Sequence, residues 1–399
     1  MNTSPPTASS TRNAVVAVFF AQGFLFASWT AHIPHVKAHL HLGNGALGLV
    51  LLGAPIGSIL AMFLVSRLLQ RLGSRTLVRI ALAGYCVVGP LIGLGDSVVV
   101  FFLAFLLWGL FLGSLDVSMN AQAITVETRA KRKLMPGFHG SWSLGSLLGS
   151  GAGVLGVGLG WSLSTQLLIL SIPFLLIVGW FTTKMIPDQR VSVDGAPKPP
   201  RSTVWRRAVV VLGLIVFLDM LSEGAVADWT AVYLRDTLHT TAVIAGLGFT
   251  AYLLTMMLTR FAGNYVTNRY AVYHVVPTFA VVAAVGSALG LWIDRPWSVL
   301  VGSMCLGIGL ALTVPMAFSA CGHIPGVHAG RAIAAVSGIG YTAYVLGPPL
   351  IGGLATLSSL HTALFLIPLL LAGIALAAAK SSAFRTPPSG GGVSPLETL

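Results

Sequence analysis

Apolar stretches of about 20 residues, the length a helix needs to cross a hydrocarbon core, recur twelve times along this chain. They start near residues 13, 45, 76, 98, 138 and 163, then 207, 241, 272, 297, 330 and 360. Lipid offers no partner for backbone amides, so each stretch is expected as a helix that bonds its own backbone. Composition agrees with this. Hydrophobic residues make up 55% of the chain and charged residues 9%, too few to clothe a water-soluble globule. The expected fold class is an all-α membrane protein with twelve transmembrane helices in two pseudo-symmetric six-helix bundles.

Between the two sets of six lies KMIPDQRVSVDGAPKPPRSTVWRR, residues 184–207, rich in Pro and basic residues and unable to form a span. Orientation follows from the basic residues. Arg12, the cluster Arg67, Arg71, Arg75 and Arg79, the run Arg129, Lys131, Arg132 and Lys133, the central linker, Arg260, Arg269, Arg331, Lys380 and Arg385 are all assigned to one side of a twelve-span arrangement. Lys37, Arg235 and Arg295 fall on the other. The positive-inside rule then places both termini in the cytoplasm of a cell with a bacterial-type plasma (inner) membrane. The net charge of +12 is thereby explained as topogenic, and no nucleic-acid partner is expected.

The expected organisation is a cytoplasmic tail (1–11), an N-terminal bundle (12–185), a linker (186–206), a C-terminal bundle (207–380) and a disordered cytoplasmic tail (381–399). The polar start MNTSPPTASST runs directly into a long helix, which reads as an uncleaved first span. Cys86, Cys305 and Cys321 lie in or at the end of apolar runs and read as free thiols. His35, His39 and His41 read as solvated loop residues, so no metal is expected. No G-x-x-x-x-G-K-[ST] loop occurs and no soluble segment could hold a nucleotide. An enzyme, an ATP-driven pump and a bound cofactor are therefore not expected.

The stretch FLDMLSEGAVADWTAVYLRD, residues 217–236, places Asp219, Glu223 and Asp228 inside a run that otherwise reads as membrane-buried helix. An ionised Asp near a span's centre costs roughly 2.5 to 3.5 kcal/mol on insertion scales, so such residues must find water, a partner or a proton. Asp219 and Glu223 are four apart, about 40° around the helix, and share a face; Asp228 lies about 140° from Glu223 and nearer the outer end. Two carboxylates on adjacent turns repel in a low dielectric, so one of them is expected to hold a proton near neutral pH. Glu223, with Asp219 beside it, is assigned to proton coupling in a central cavity; the bland alternative is an acid that only packs helices. Asp228 is assigned to a neighbouring helix or an outer gate.

The fourth span carries Asp116, Asn120 and Glu127 close to one face. Asp116 and Asn120 suit a polar solute, with Asp116 a further proton-coupling candidate, whereas Glu127 reads as a surface ion pair with Arg129 and Lys131. Gln22, Trp29 and His32 form a stripe on the first span that offers stacking and hydrogen bonding. Trp29 is equally compatible with an interfacial anchor. Trp142 on the fifth span and Tyr341 and Tyr344 on the eleventh are assigned to the same solute site. His139 is assigned to a gate or proton exit near the cytoplasmic face, against a His bonded only to backbone.

The halves echo each other. SRLLQRLGSRTLVR and TRFAGNYVTNRYAVY are both short, basic connections, and GSWSLGSLLGSGAGVLG and SGIGYTAYVLGPPLIGG each pair an aromatic with later glycines. The glycines read mostly as tight helix packing, and Pro348-Pro349 as a bend. From about Arg12 to Lys380 the chain resembles the major facilitator superfamily. SLDVSMNAQAITVE, GFHGSWSLG, EGAVADWTAVYLRD and GYTAYVLGPPLIGG are similar to its MosC-like (YbjJ-like) permeases, distantly similar to fucose-type sugar permeases. The superfamily's loop after the second span reads G-x-x-x-D-R-x-G-R-[RK]; here Ser66, Gln70, Arg71, Gly73, Ser74 and Arg75 occupy those positions, and Thr267 and Asn268 stand near the mirrored equivalent. The charge relay is incomplete, but Arg71 and Arg75 are assigned to gating and could bind helix C-termini or lipid phosphates.

The resemblance implies a monomeric secondary transporter whose partners are a small polar organic solute, sugar-like or related, protons and membrane lipids. Two alternatives stay open: a proton-driven exporter of drugs or a biosynthetic product, and a transporter-shaped sensor or scaffold that moves nothing.

Overall fold

The computed structural model describes residues 8–130, 134–186, 203–321, 329–381 and 384. Among the described residues, ten helical segments are long and apolar enough to cross a membrane: Ser9–His39 (span one), Asn44–Ala61 (two), Ser74–Ile92 (three), Val98–Glu127 (four), Leu163–Thr182 (six), Arg207–Thr237 (seven), Ala242–Gly263 (eight), Val272–Ile293 (nine), Pro296–Cys321 (ten) and Leu360–Lys380 (twelve). Met135–Gly158 (span five) and Ala329–Leu357 (span eleven) complete the set of twelve. These two are long enough to cross but richer in Gly, Ser and Tyr, which fits helices that face protein and water more than lipid. The largest offset from an expected start is residue 13 against Ser9. The helix of span seven begins at Thr203, inside the expected linker. Most of that linker, most of both tails and Lys131, Arg132 and Lys133 lie outside the described residues.

Within the N-terminal half, spans one and five pack backbone to backbone. A Cβ added at Gly145, Gly149 or Gly153 would stand 2.2, 2.0 or 2.4 Å from the carbonyl oxygens of Phe20, Phe24 and Ser28. That four-residue period is one helix face, and only glycine permits the approach. It fixes Gln22 of span one against Trp142 of span five. Toward the basic-loop end, Arg75 donates from Nη2 to the Thr183 carbonyl at 3.1 Å, and Arg79 donates to the Thr182 carbonyl and hydroxyl at 3.1 and 3.2 Å. Both cations thus sit on the C-terminal carbonyls of span six, where the helix dipole favours positive charge. Arg71 is exposed, and nothing is described of the side chains of Ser66, Gln70 and Asn268.

The halves meet closely at the end opposite the basic loops. A Cβ on Gly48 would lie 2.4 Å from the Pro348 carbonyl, and one on Gly352 2.6 Å from the Asn44 carbonyl. Gly246 of span eight nests against Val154 of span five. Lys37 forms an ion pair with Asp236 across the halves. Further in, the Ser150 and Thr250 hydroxyls share a hydrogen bond at 2.8 Å. Glu127 accepts a hydrogen bond from the Leu134 amide at 2.5 Å, which ties down the connection between spans four and five. His35, His39 and His41 are exposed, and the three cysteines are free.

Candidate functional site

Below this contact between the halves, polar side chains from both face one another. On the N-terminal side, Trp142 donates from its indole nitrogen to Gln22 Oε1 at 2.8 Å, and Gln22 Nε2 reaches the Leu112 carbonyl at 3.5 Å. Gln22 also flanks Asp116. Asn120, one turn along span four, donates to the Asp116 carbonyl at 2.9 Å and to Asp116 Oδ1 at 3.3 Å. One continuous polar surface therefore runs over spans five, one and four. Asp116, Asn120 and Trp142 are half-buried, whereas Gln22 between them is 3% exposed.

On the opposite wall, Glu223 is half-buried and Asp219, one turn toward the basic end of span seven, is 1% exposed. Asp219 lies beside Glu223, Arg260 and Thr313, yet its Oδ1 has no hydrogen-bond partner among the described residues. Tyr252 of span eight is fully buried against Glu223, and its hydroxyl likewise completes no hydrogen bond. Tyr344 of span eleven faces Glu223, Asp219 and Arg260, while Tyr341, with its ring centre 6.2 Å away, faces Asp116 across the gap. Two acidic pockets, one in each half, are thus bridged by a pair of tyrosines.

Arg260 requires a correction. Read from the sequence as a cation on the cytoplasmic side, it lies within the site: its Nη1 donates to Ser143 Oγ of span five at 3.1 Å and its Nε to the Ala311 carbonyl at 3.3 Å. The helix that carries it continues to Arg269, so Arg260 lies about two and a half turns short of the basic loop. Near the end of an apolar run a buried cation and a flanking one look alike in sequence. Tyr252, Ser143 and Thr313 went unassigned for a similar reason: lone polar groups in apolar helices gain meaning only from what lies across the gap.

The other assigned residues divide. His139 is exposed, near Arg260 and edge-on to Phe19 with ring centres 5.3 Å apart, so it stands on the basic-end side of the site. Asp228 is half-buried farther out on span seven. Trp29 and His32 are set apart. Trp29 is 2% exposed and packs on Phe105 and Trp108, at ring-centre distances of 4.7 and 6.5 Å. His32 is also 2% exposed, and its Nε2 meets Gln166 Oε1 at 2.9 Å. Span one tightens to a 3₁₀ turn at Thr30–His32, which takes His32 off a stripe drawn on a straight helix, whereas Trp29 still belongs to the α-helix that carries Gln22. No cluster of three or more His, Cys, Asp or Glu suited to a metal occurs among the described residues.

Comparison with known proteins agrees with this architecture. Residues 14–218 and 212–398 match the family model described as Major Facilitator Superfamily. An MFS-type transporter of Yersinia pestis is 32% identical over 90% of this chain and 93% of its own length. The membrane protein MosC of Rhizobium meliloti is 29% identical over 91% of this chain and 88% of its own. Among solved structures, a D-xylose-proton symporter superposes with a TM-score of 0.73 at 17% identity, covering 93% of this chain and 98% of that one. The nucleoside transporter NupG superposes at 0.69 and 13%, covering 93% and 99%. These relatives and the fold are those of transporters, not enzymes, and the protein is a multi-pass membrane protein. With its two halves both matched by the family model, the chain belongs to the Major Facilitator Superfamily.

Proposed function

We propose that this protein is a secondary transporter that moves a small polar organic solute across a bacterial inner membrane by alternating access, coupled to protons. The observation that carries the reading is the placement of Glu223 and Asp116: both lie deep along their spans, in opposite halves, and both are half-buried rather than closed off in the packed core. Acids placed so can exchange protons and bind a solute, whereas acids that only pack helices would be closed off.

In this reading the basic loops are cytoplasmic, so the contacts of Gly48 with Pro348 and of Lys37 with Asp236 close the outer end. Asn120, Asp116 and Trp142 offer hydrogen bonds and a ring face on one wall, with Gln22 buried behind them holding Trp142, and Tyr341 stands on the other. Glu223 loads and unloads the proton, and Asp219, buried with an unpartnered oxygen, keeps its own, since an ionised carboxylate there would stay desolvated. One proton moved down about one pH unit is worth about 1.4 kcal/mol, enough to hold about a tenfold solute gradient. A nucleoside transporter and a D-xylose-proton symporter share the fold, and nucleosides and xylose are small, polar and rich in hydroxyls. That supports a sugar-like solute over an amphipathic drug.

Purified protein in proteoliposomes, given an imposed pH gradient and sugars, polyols, nucleosides and amino acids in turn, tests the reading. Accumulation of one of them that collapses with a protonophore is expected. A folded preparation that moves none of them favours the sensor or scaffold.

A further inference from the structure

Resting on that reading, we propose that Arg260 anchors an anionic group of the solute, so that the transported species is the monoanion of a polar, hydroxyl-bearing compound such as a sugar acid. Arg260 is half-buried between the halves and holds two neutral acceptors, Ser143 Oγ and the Ala311 carbonyl. It forms no ion pair among the described residues, although Asp219 and Glu223 lie within its electrostatic reach. A guanidinium has five donors in a planar fork that matches a carboxylate or phosphate, and its Nη2 edge is not used by either contact. A partly desolvated guanidinium whose direct contacts are neutral oxygens keeps donors and charge to offer a ligand.

The charges facing Arg260 explain why such an anion would travel with a proton. Span seven presents Asp219 and Glu223, span eight Tyr252, span eleven Tyr344, and span five His139, while Asp116 lies on the far wall beside Tyr341. With Asp219 and Asp116 both protonated and Glu223 ionised, Glu223 balances Arg260 and the empty site carries no net charge. When Glu223 takes a proton, Arg260 is left uncompensated, and an incoming monoanion restores neutrality. Neither the empty nor the loaded site then carries an unbalanced charge through the closed intermediate, where its desolvation would be most costly. Proton and anion bind cooperatively because each favours the state that the other needs.

The test is equilibrium binding to the full-length purified protein with matched pairs: D-glucuronate against D-glucose, D-galacturonate against D-galactose, D-gluconate against D-sorbitol, and hydroxy acids against the corresponding alcohols. At least one acid is expected to bind wild type about tenfold or more tightly than its neutral partner, more tightly at pH 6 than at pH 8. Arg260→Gln is expected to bring that acid to the level of its partner, and Arg260→Lys to retain part of the preference. The wild-type comparison stands even where a variant fails to fold. No acid preferred over its partner, or a preference that survives Arg260→Gln in folded protein, overturns the anion site. Accumulation of a neutral compound by a pH gradient, lost in Glu223→Gln, would overturn it too, and would leave the proton-coupled reading of the transporter intact.

Discussion

Arg260 of span eight donates to the Ser143 hydroxyl of span five at 3.1 Å, a hydrogen bond that crosses from one half of the molecule to the other beside the acid pair of span seven. A charged donor meets a largely buried neutral acceptor, a class of bond worth about 1.5 to 3 kcal/mol. Ser143→Ala removes it and leaves the guanidinium in place. The balance between conformations is expected to shift about tenfold or more toward those in which spans five and eight part. Pulsed electron resonance distances between spin labels on the outer ends of the two halves would register the shift; an unchanged distance distribution would mean that the bond closes nothing.

Glu223→Gln fixes a neutral side chain where the proton is exchanged. Accumulation against a gradient is expected to be lost, while exchange of labelled for unlabelled solute continues at a rate within severalfold of wild type. Uptake and counterflow measured in the same proteoliposomes separate the two. Equal loss of both would assign Glu223 to solute binding or to folding.

Asn120, half-buried, holds both the carbonyl and the carboxylate of Asp116. Truncation to Ala removes a neutral hydrogen bond and the fixed orientation of Asp116, together about 1 to 2 kcal/mol, so solute affinity should fall roughly five- to thirtyfold. The pH at which transport is fastest should stay where it is. Unchanged affinity in a binding titration removes Asn120 from the site.

The outer seal offers a steric test. A side chain on Gly48 meets the Pro348 carbonyl at 2.4 Å and so cannot be accommodated while the outer ends touch. Gly48→Val should therefore hold the outer ends apart, break the Lys37 to Asp236 pair and stall turnover while the protein remains folded. The ion pair alone would have a smaller influence, since a partly exposed pair contributes about 0.2 to 1 kcal/mol. Hydrogen exchange over residues 44–51 and 348–356 should accelerate in Gly48→Val and change little in Lys37→Ala. The opposite ranking would mean that charge, not close packing, closes the outer end.

The twelve spans were legible because lipid leaves the backbone no alternative to long apolar helices, and the pairing of Asp219 with Glu223 because a four-residue spacing is a face. What sequence did not yield is contact across the gap. Asp116 meets Tyr341 only because two halves close on one another, Glu223 meets Tyr252 only because spans seven and eight pack together, and nothing in 28 residues of helix from Ala242 to Arg269 marks Arg260 as internal. His32 leaves the stripe of Gln22 for a local reason, since the helix tightens between Thr30 and His32, and Trp29 packs into the N-terminal core on Phe105 and Trp108. The glycines of span five were legible as packing residues, yet their partner, the carbonyl row of span one, was not.

Infrared difference spectroscopy of carboxyl groups on the membrane-reconstituted protein, stepped between acid and alkaline buffer in H₂O and in D₂O, addresses the role of Glu223 without knowledge of the solute. A protonated-carboxyl band that appears and disappears reversibly with the pH step, shifts promptly in D₂O and is missing in Glu223→Gln is expected. A spectrum in which Glu223→Gln removes no band, or a band that stays inert to D₂O for hours, would contradict a Glu223 that trades protons with water between the two halves.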